Sequence, residues 1–133
     1  MPININGFLQ IKPLLDKNLG SILGIECPLY SRRLKLAGRC DLVAEYNGIL
    51  SIVDYKTSRK EKKTDWIESY LLQTTLYSMM LYELKNVLTK QIVIIIAGDE
   101  VNEAQVFIDK PAIWINRALE CVRKYNEDCR PSN

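Results

Sequence analysis

The chain contains no histidine. That absence removes Ser–His–Asp and Cys–His nucleophiles, imidazole bases and imidazole metal ligands. Any chemistry must therefore run on carboxylates, lysines, hydroxyls or hard metal ions. Cysteine is sparse: Cys27, Cys40, Cys121 and Cys129 make no C-x-x-C pair and no zinc-ribbon spacing. They also lack the tight C-terminal cluster that would hold an iron–sulfur centre. Free thiols are expected, with Cys27 and Cys40 in core positions. No apolar run is long enough to span a membrane, and the longest, "QIVIIIAG", is strand-sized. No repeat, low-complexity tract or Pro/Gly-rich linker divides the sequence, so a single domain over residues 1–133 is expected. "MPININGFLQ" has neither a basic start nor an apolar signal core, and an intracellular, cytoplasmic setting is the expectation.

What is present is the ordinary material of a globular domain, 47% apolar and 26% charged. The net charge of +2 is too small to indicate a nucleic-acid partner. Its distribution is more informative. Lys56, Arg59, Lys60, Lys62 and Lys63 crowd one short stretch against Glu61 alone, and Arg32, Arg33, Lys35 and Arg39 precede Asp41. Taken alone, either group suits a solvated loop.

The apolar spacing predicts the order α-β-β-β-α-β-(β)-α, an α/β arrangement of a mixed α+β sheet flanked by helices. Phe8, Ile11, Leu14, Leu15 and Leu19 are helix-spaced, with Gly20 as a stop and Pro13 as a local obstacle. "SILGIECPLYS" and "RLKLAGRCDLVAEY" read as strands, the second with Leu36, Cys40, Leu42 and Ala44 on one face. Gly38 within it suggests a bulge or a close backbone approach. Asn47-Gly48 joins that strand to "ILSIVDYK" as a tight hairpin. Asp65 and Glu68 suggest a capping box on a long helix, "QIVIIIA" and "AQVFI" are strands, and Pro111 opens a last amphipathic helix.

The hairpin gathers a chemical set. Asp41 lies six residues before the turn and Asp54 six after it, so the two carboxylates are opposed unless a bulge shifts the register. Asp54 and Lys56 share a strand face, because side chains alternate. Two opposed acids on a sheet repel unless a cation bridges them, and Mg²⁺ takes such oxygen ligands together with phosphate oxygens.

"GRCDLVAEYNGILSIVDYKTS", followed by "QTTLY", resembles the PD-(D/E)XK nuclease superfamily, and within it the RecB-like exonuclease branch. Asp54-Tyr55-Lys56-Thr57 stands in the place of the (D/E)-x-K strand, and Gln73 with Tyr77 in the place of Q-x-x-x-Y. The wording around Asp41 and Asp54 is also similar to the mitochondrial genome maintenance exonuclease group. The resemblance implies a restriction-endonuclease-like core and a Mg²⁺- or Mn²⁺-dependent deoxyribonuclease, with exonuclease as the leading reading. A structure-selective endonuclease and a non-catalytic DNA-binding or assembly module are the alternatives.

In that reading Asp41, Asp54 and the Tyr55 backbone carbonyl bind metal, with Glu26 as an additional carboxylate or else a strand-edge acid. Lys56 acts on the attacking water or on the transition state. Gln73, Tyr77, Thr57, Ser58, Arg59, Lys60, Lys62 and Lys63 face DNA, either a single strand or duplex ends. The longer N-terminal helical region and the histidine of many RecB-like members have no counterpart here. The residues forming a DNA channel would then be absent, supplied by a partner protein or supplied by a homo-oligomer. A phage or bacterial repair or recombination enzyme fits the resemblance.

Overall fold

Asn47 and Gly48 take φ values of 53° and 79°, the left-handed pair that matches a two-residue turn to strand twist. The computed structural model describes residues 5–58, 64–98 and 104–128. In chain order they form α1 (Ile5–Asn18), β1 (Leu19–Ser31), β2 (Leu36–Tyr46), β3 (Ile49–Ser58), α2 (Thr64–Lys85), β4 (Gln91–Gly98), β5 (Gln105–Asp109) and α3 (Pro111–Asp128). The order is the expected one, and the five strands make one mixed sheet in the sequence order β1-β2-β3-β4-β5. The one parallel pair is β3 with β4, connected through α2. Among the described residues no helix is long and apolar enough to cross a membrane.

Two apolar layers sandwich the sheet. On one side Ile52, Ile92, Ile94 and Ile96 pack with Ile67, Leu71, Tyr77, Met80 and Leu81 of α2. On the other, Leu42, Ala44, Val53, Val93 and Ile95 pack with Ile11 of α1. Residues Ile92 to Ile96 are at most 2% exposed, as a strand covered on both faces requires. Each such side chain contributes about 1.5–3 kcal/mol of burial free energy, so β4 anchors the two layers.

Several expectations are corrected. Helix α1 runs through Pro13, which is exposed, so the proline ring takes no room in the core. Gly20 is not the helix stop. The helix closes at Asn18, whose side-chain amide donates to the Leu14 carbonyl at 2.9 Å and whose own carbonyl accepts from the Asn47 amide at 2.9 Å. Phe8 is 55% exposed, and Ile11 supplies the buried contact instead. The side chain of Asp65, the expected cap of α2, lies outside the described residues.

The largest correction concerns β2. Leu36 and Cys40 lie in the layer under α2, whereas Leu42 and Ala44 lie in the layer under α1. The side-chain phase thus switches at Asp41. The switch coincides with Glu26, which takes a left-handed φ of 49° between the pairs Ile25–Leu42 and Cys27–Cys40. Gly38 marks no bulge, since it pairs regularly with Leu29. Its role is the close approach: a Cβ there would stand 2.7 Å from Cε1 of Tyr77.

Candidate active site

Pairing between β2 and β3 ends at Leu42–Val53. Beyond it β2 continues against β1, while β3 continues against β4 as far as Ser58. The next positions on the two separating strands are Asp41 and Asp54, so the hairpin register does set the two carboxylates across from each other. Asp41 Oδ2 accepts the Tyr55 amide at 2.8 Å, supplying a partner for a backbone donor where the ladder has ended.

Asp54 is 3% exposed. Burial and the Asp41 carboxyl, which is within hydrogen-bonding reach, push its pKa up to about 6, while Lys56 opposes the rise. Lys56 Nζ stands 2.9 Å from Asp54 Oδ2. The ammonium is this buried oxygen's ion-pair partner, and no well-directed hydrogen bond to it is formed. Burial and the neighbouring Asp41 still disfavour its charged form. It is the atom in the site that is best suited to accept a cation.

Helix α2 closes the site from one side. Gln73 Oε1 accepts a hydrogen bond from Lys56 Nζ at 2.8 Å. Gln73 and Tyr77 are one turn apart on the same face, but their surroundings differ. Gln73 is exposed, whereas Tyr77 is 9% exposed and belongs to the core. Burial first, then the charges of Asp54, Asp41 and Cys40, push the Tyr77 phenol up to about 12. It stays protonated and hydrogen-bond competent over any physiological range. Tyr55 is held at about 12 for the same reasons, burial leading and Asp41 and Asp54 following. Behind the site, Thr74 and Thr75 are fully buried, and their hydroxyls donate back to the Tyr70 and Leu71 carbonyls at 2.7 Å each. This satisfies polar groups that α2 carries into the core.

Cys40 and Cys27 are cross-strand partners and free thiols. Burial, followed by Cys27 and then Asp54 and Asp41, raises the Cys40 thiol to about 12, an unreactive setting.

The structure thus brings together Asp41, Asp54, Lys56 and Gln73, with Tyr77 behind them. Glu26 is not part of this group: it is exposed, opposite Asp41 across β1 and β2. Among the described residues no three Asp, Glu, Cys or His side chains converge to hold a metal. A cation would depend on the Asp41–Asp54 pair with backbone and water oxygens, which is within the habits of Mg²⁺. Thr57 is half-buried on β3 opposite Ala97. Ser58 ends the strand opposite Gly98, but its side chain lies outside the described residues, as do Arg59, Lys60, Lys62 and Lys63.

Two contributors escaped the sequence reading. Tyr70 sets its ring 5.0 Å from Lys56 Nζ, and its place one turn before Gln73 was the available signal. Gln10 clamps the end of β4, donating to the Gly98 carbonyl at 2.8 Å and accepting its amide at 3.2 Å. No sequence pattern announces that contact between residues so far apart in the chain.

The close fit of Gly38 to Tyr77 yields a prediction. Gly38→Ala should lower stability by about 1–3 kcal/mol through overpacking, read by urea unfolding. A variant as stable as the parent would mean that Tyr77 does not occupy the space left by Gly38.

A mixed sheet with helices on both sides, holding two acids and a lysine where two central strands part, has the architecture of the restriction-endonuclease-like fold. The chain belongs to the PD-(D/E)XK nuclease superfamily, whose family model matches residues 8–125. No curated protein matches it significantly. Nucleases of this superfamily generally use divalent metals such as Mg²⁺ and have DNA as their substrate.

Proposed function

We propose that the protein is a Mg²⁺- or Mn²⁺-dependent deoxyribonuclease that hydrolyses phosphodiester bonds, acting as an exonuclease of the RecB-like branch. The observation that carries this reading is the buried Asp54 Oδ2, which lacks a hydrogen bond although it lies beside Asp41 and Lys56. Asp41, Asp54 and the Tyr55 carbonyl would hold the ion, and Glu26 would join only through a change of conformation. A divalent ion bound there supplies Lewis acidity and screens both carboxylates and the phosphate charge.

The chain's own groups do the rest. Lys56, 19% exposed at its side chain, presents its ammonium to the mouth between β2 and β3, where it orients the attacking water and offsets charge developing on the phosphate. Gln73 holds Lys56 before substrate arrives and is exposed enough to reach a DNA phosphate. Thr57, Ser58 and the basic run Arg59, Lys60, Lys62 and Lys63 would line the phosphate path and make binding salt-dependent.

Support for the RecB-like branch, and for the mitochondrial genome maintenance group within it, rests on Gln73-x-x-x-Tyr77 and the Asp54-Tyr55-Lys56-Thr57 wording. A role in DNA repair or recombination, with a partner protein or a second copy completing the DNA channel, accompanies that placement. Linear and covalently closed circular single strands, digested side by side with Mg²⁺, test the mode of action. Loss of the linear strand alone is expected. Equal cutting of the circle would make the protein an endonuclease.

A further inference from the structure

Among the described residues, three polar or aromatic groups face the Lys56 ammonium. Asp54 Oδ2 lies at 2.9 Å, Gln73 Oε1 at 2.8 Å, and the centroid of the Tyr70 ring at 5.0 Å from Nζ. The first two belong to the recognised motifs, and Tyr70 does not. We propose that Tyr70 is a positioning residue for catalysis, its ring face fixing the Lys56 ammonium beside the Asp41–Asp54 pair during turnover. The proposal rests on the nuclease reading above.

The physical case turns on what each neighbour can still do once the site is loaded. Asp54 shares its charge with any cation it binds, which weakens its hold on Lys56. Gln73 is exposed, and water or a phosphate competes for its amide. The aromatic face is different, because its attraction for an ammonium comes from the ring quadrupole and offers nothing for a hard cation to coordinate. The 5.0 Å separation lies inside the reach of that interaction.

The ring is also better anchored than the exposed Gln73 amide. Tyr70 is half-buried and packs against the apolar layer under α2, and its carbonyl accepts the Thr74 hydroxyl at 2.7 Å. Lysine is a flexible point charge with several rotatable bonds. A fixed ring beside it selects the rotamer that the reaction uses.

The test compares Tyr70→Phe, which keeps the ring, with Tyr70→Leu, which removes it. Cleavage of end-labelled DNA is measured under Mg²⁺. Tyr70→Phe should stay within about twofold of the parent, and Tyr70→Leu should lose about tenfold in kcat with little change in KM, the order expected of one cation–π contact. A Tyr70→Leu rate equal to the parent's overturns the proposal, as does a Tyr70→Phe rate as low as that of Tyr70→Leu.

A second readout needs no activity. In the metal-free protein the Lys56 ε-methylene resonance, assigned by its absence in Lys56→Arg, should be ring-shifted upfield in the parent and in Tyr70→Phe. It should return to the ordinary lysine position in Tyr70→Leu, and no upfield shift in the parent overturns the contact itself. A parent that shows the shift but cuts no DNA with Mg²⁺ or Mn²⁺ overturns the nuclease reading, and with it this role. A parent that cuts while Tyr70→Leu cuts equally well overturns only the role of Tyr70.

Discussion

Asp54→Asn is expected to make the metal-free protein more stable at neutral pH, although it removes the residue at the centre of the site. The carboxyl is 3% exposed and its pKa is pushed from 3.8 to about 6, chiefly by burial and by Asp41. The folded chain therefore holds this proton more tightly than the unfolded chain does. Below pH about 4 the group is neutral in both states and costs nothing; between about 4 and 6 the folded state alone retains the proton, and stability falls as pH rises. Above that window the penalty is constant, at most about 3 kcal/mol at about 1.4 kcal/mol per tenfold change in proton affinity. An amide at this position has its own hydrogen bonds to satisfy, so a net gain of about 1–2 kcal/mol is expected.

Urea unfolding in EDTA, at neutral pH and near pH 4, checks this, since the advantage of the variant should vanish at the lower pH. Added Mg²⁺ or Mn²⁺ should stabilise the parent through binding to the folded state and should leave Asp54→Asn unmoved. A variant less stable than the parent at neutral pH, or one equally stabilised by metal, would contradict the strained-carboxylate account.

Lys56→Ala is expected to lose about a hundredfold to a thousandfold in DNA cleavage, the order seen when a group that stabilises developing charge is removed. DNA affinity should change little, because one lysine is a small part of the phosphate contacts. The same change strips Asp54 of its counter-charge, so the metal-free variant should melt lower than the parent and recover in part when metal is added. Lys56→Arg should not rescue turnover. The planar guanidinium does not fit a place shaped by Asp54, Gln73 Oε1 and the Tyr70 ring around a compact ammonium. Single-turnover rates and a filter-binding titration separate these effects.

The parts of the fold that depend on local chemistry were legible in the sequence. Asn47-Gly48 allows one kind of turn, and that turn fixes Tyr46 against Ile49 and, by extension, Asp41 against Asp54. The continuous isoleucine run of β4 announced a strand covered on both faces. Period-two alternation put Asp54 and Lys56 on one face, and both meet α2 there.

The same alternation failed on β2. It depends on a regular backbone, and the left-handed Glu26 opposite Asp41 interrupts that regularity. Gly38 could be read as a close approach, but the partner, Tyr77, becomes visible only when α2 docks. Tyr70 sits at a helix-spaced apolar position of α2, and a half-buried tyrosine there reads as core until its neighbour is known. Glu26, open in the sequence to a place in the site or at a strand edge, is the carboxylate that the geometry leaves outside the group.

The most direct measurement is cleavage of end-labelled single- and double-stranded DNA by the parent and by Lys56→Ala, each with Mg²⁺, with Mn²⁺ and with EDTA. The account predicts cutting by the parent with either metal, none in EDTA, and about a hundredfold to a thousandfold less by Lys56→Ala with either metal. Metal-independent cutting, or full activity in Lys56→Ala, would contradict it.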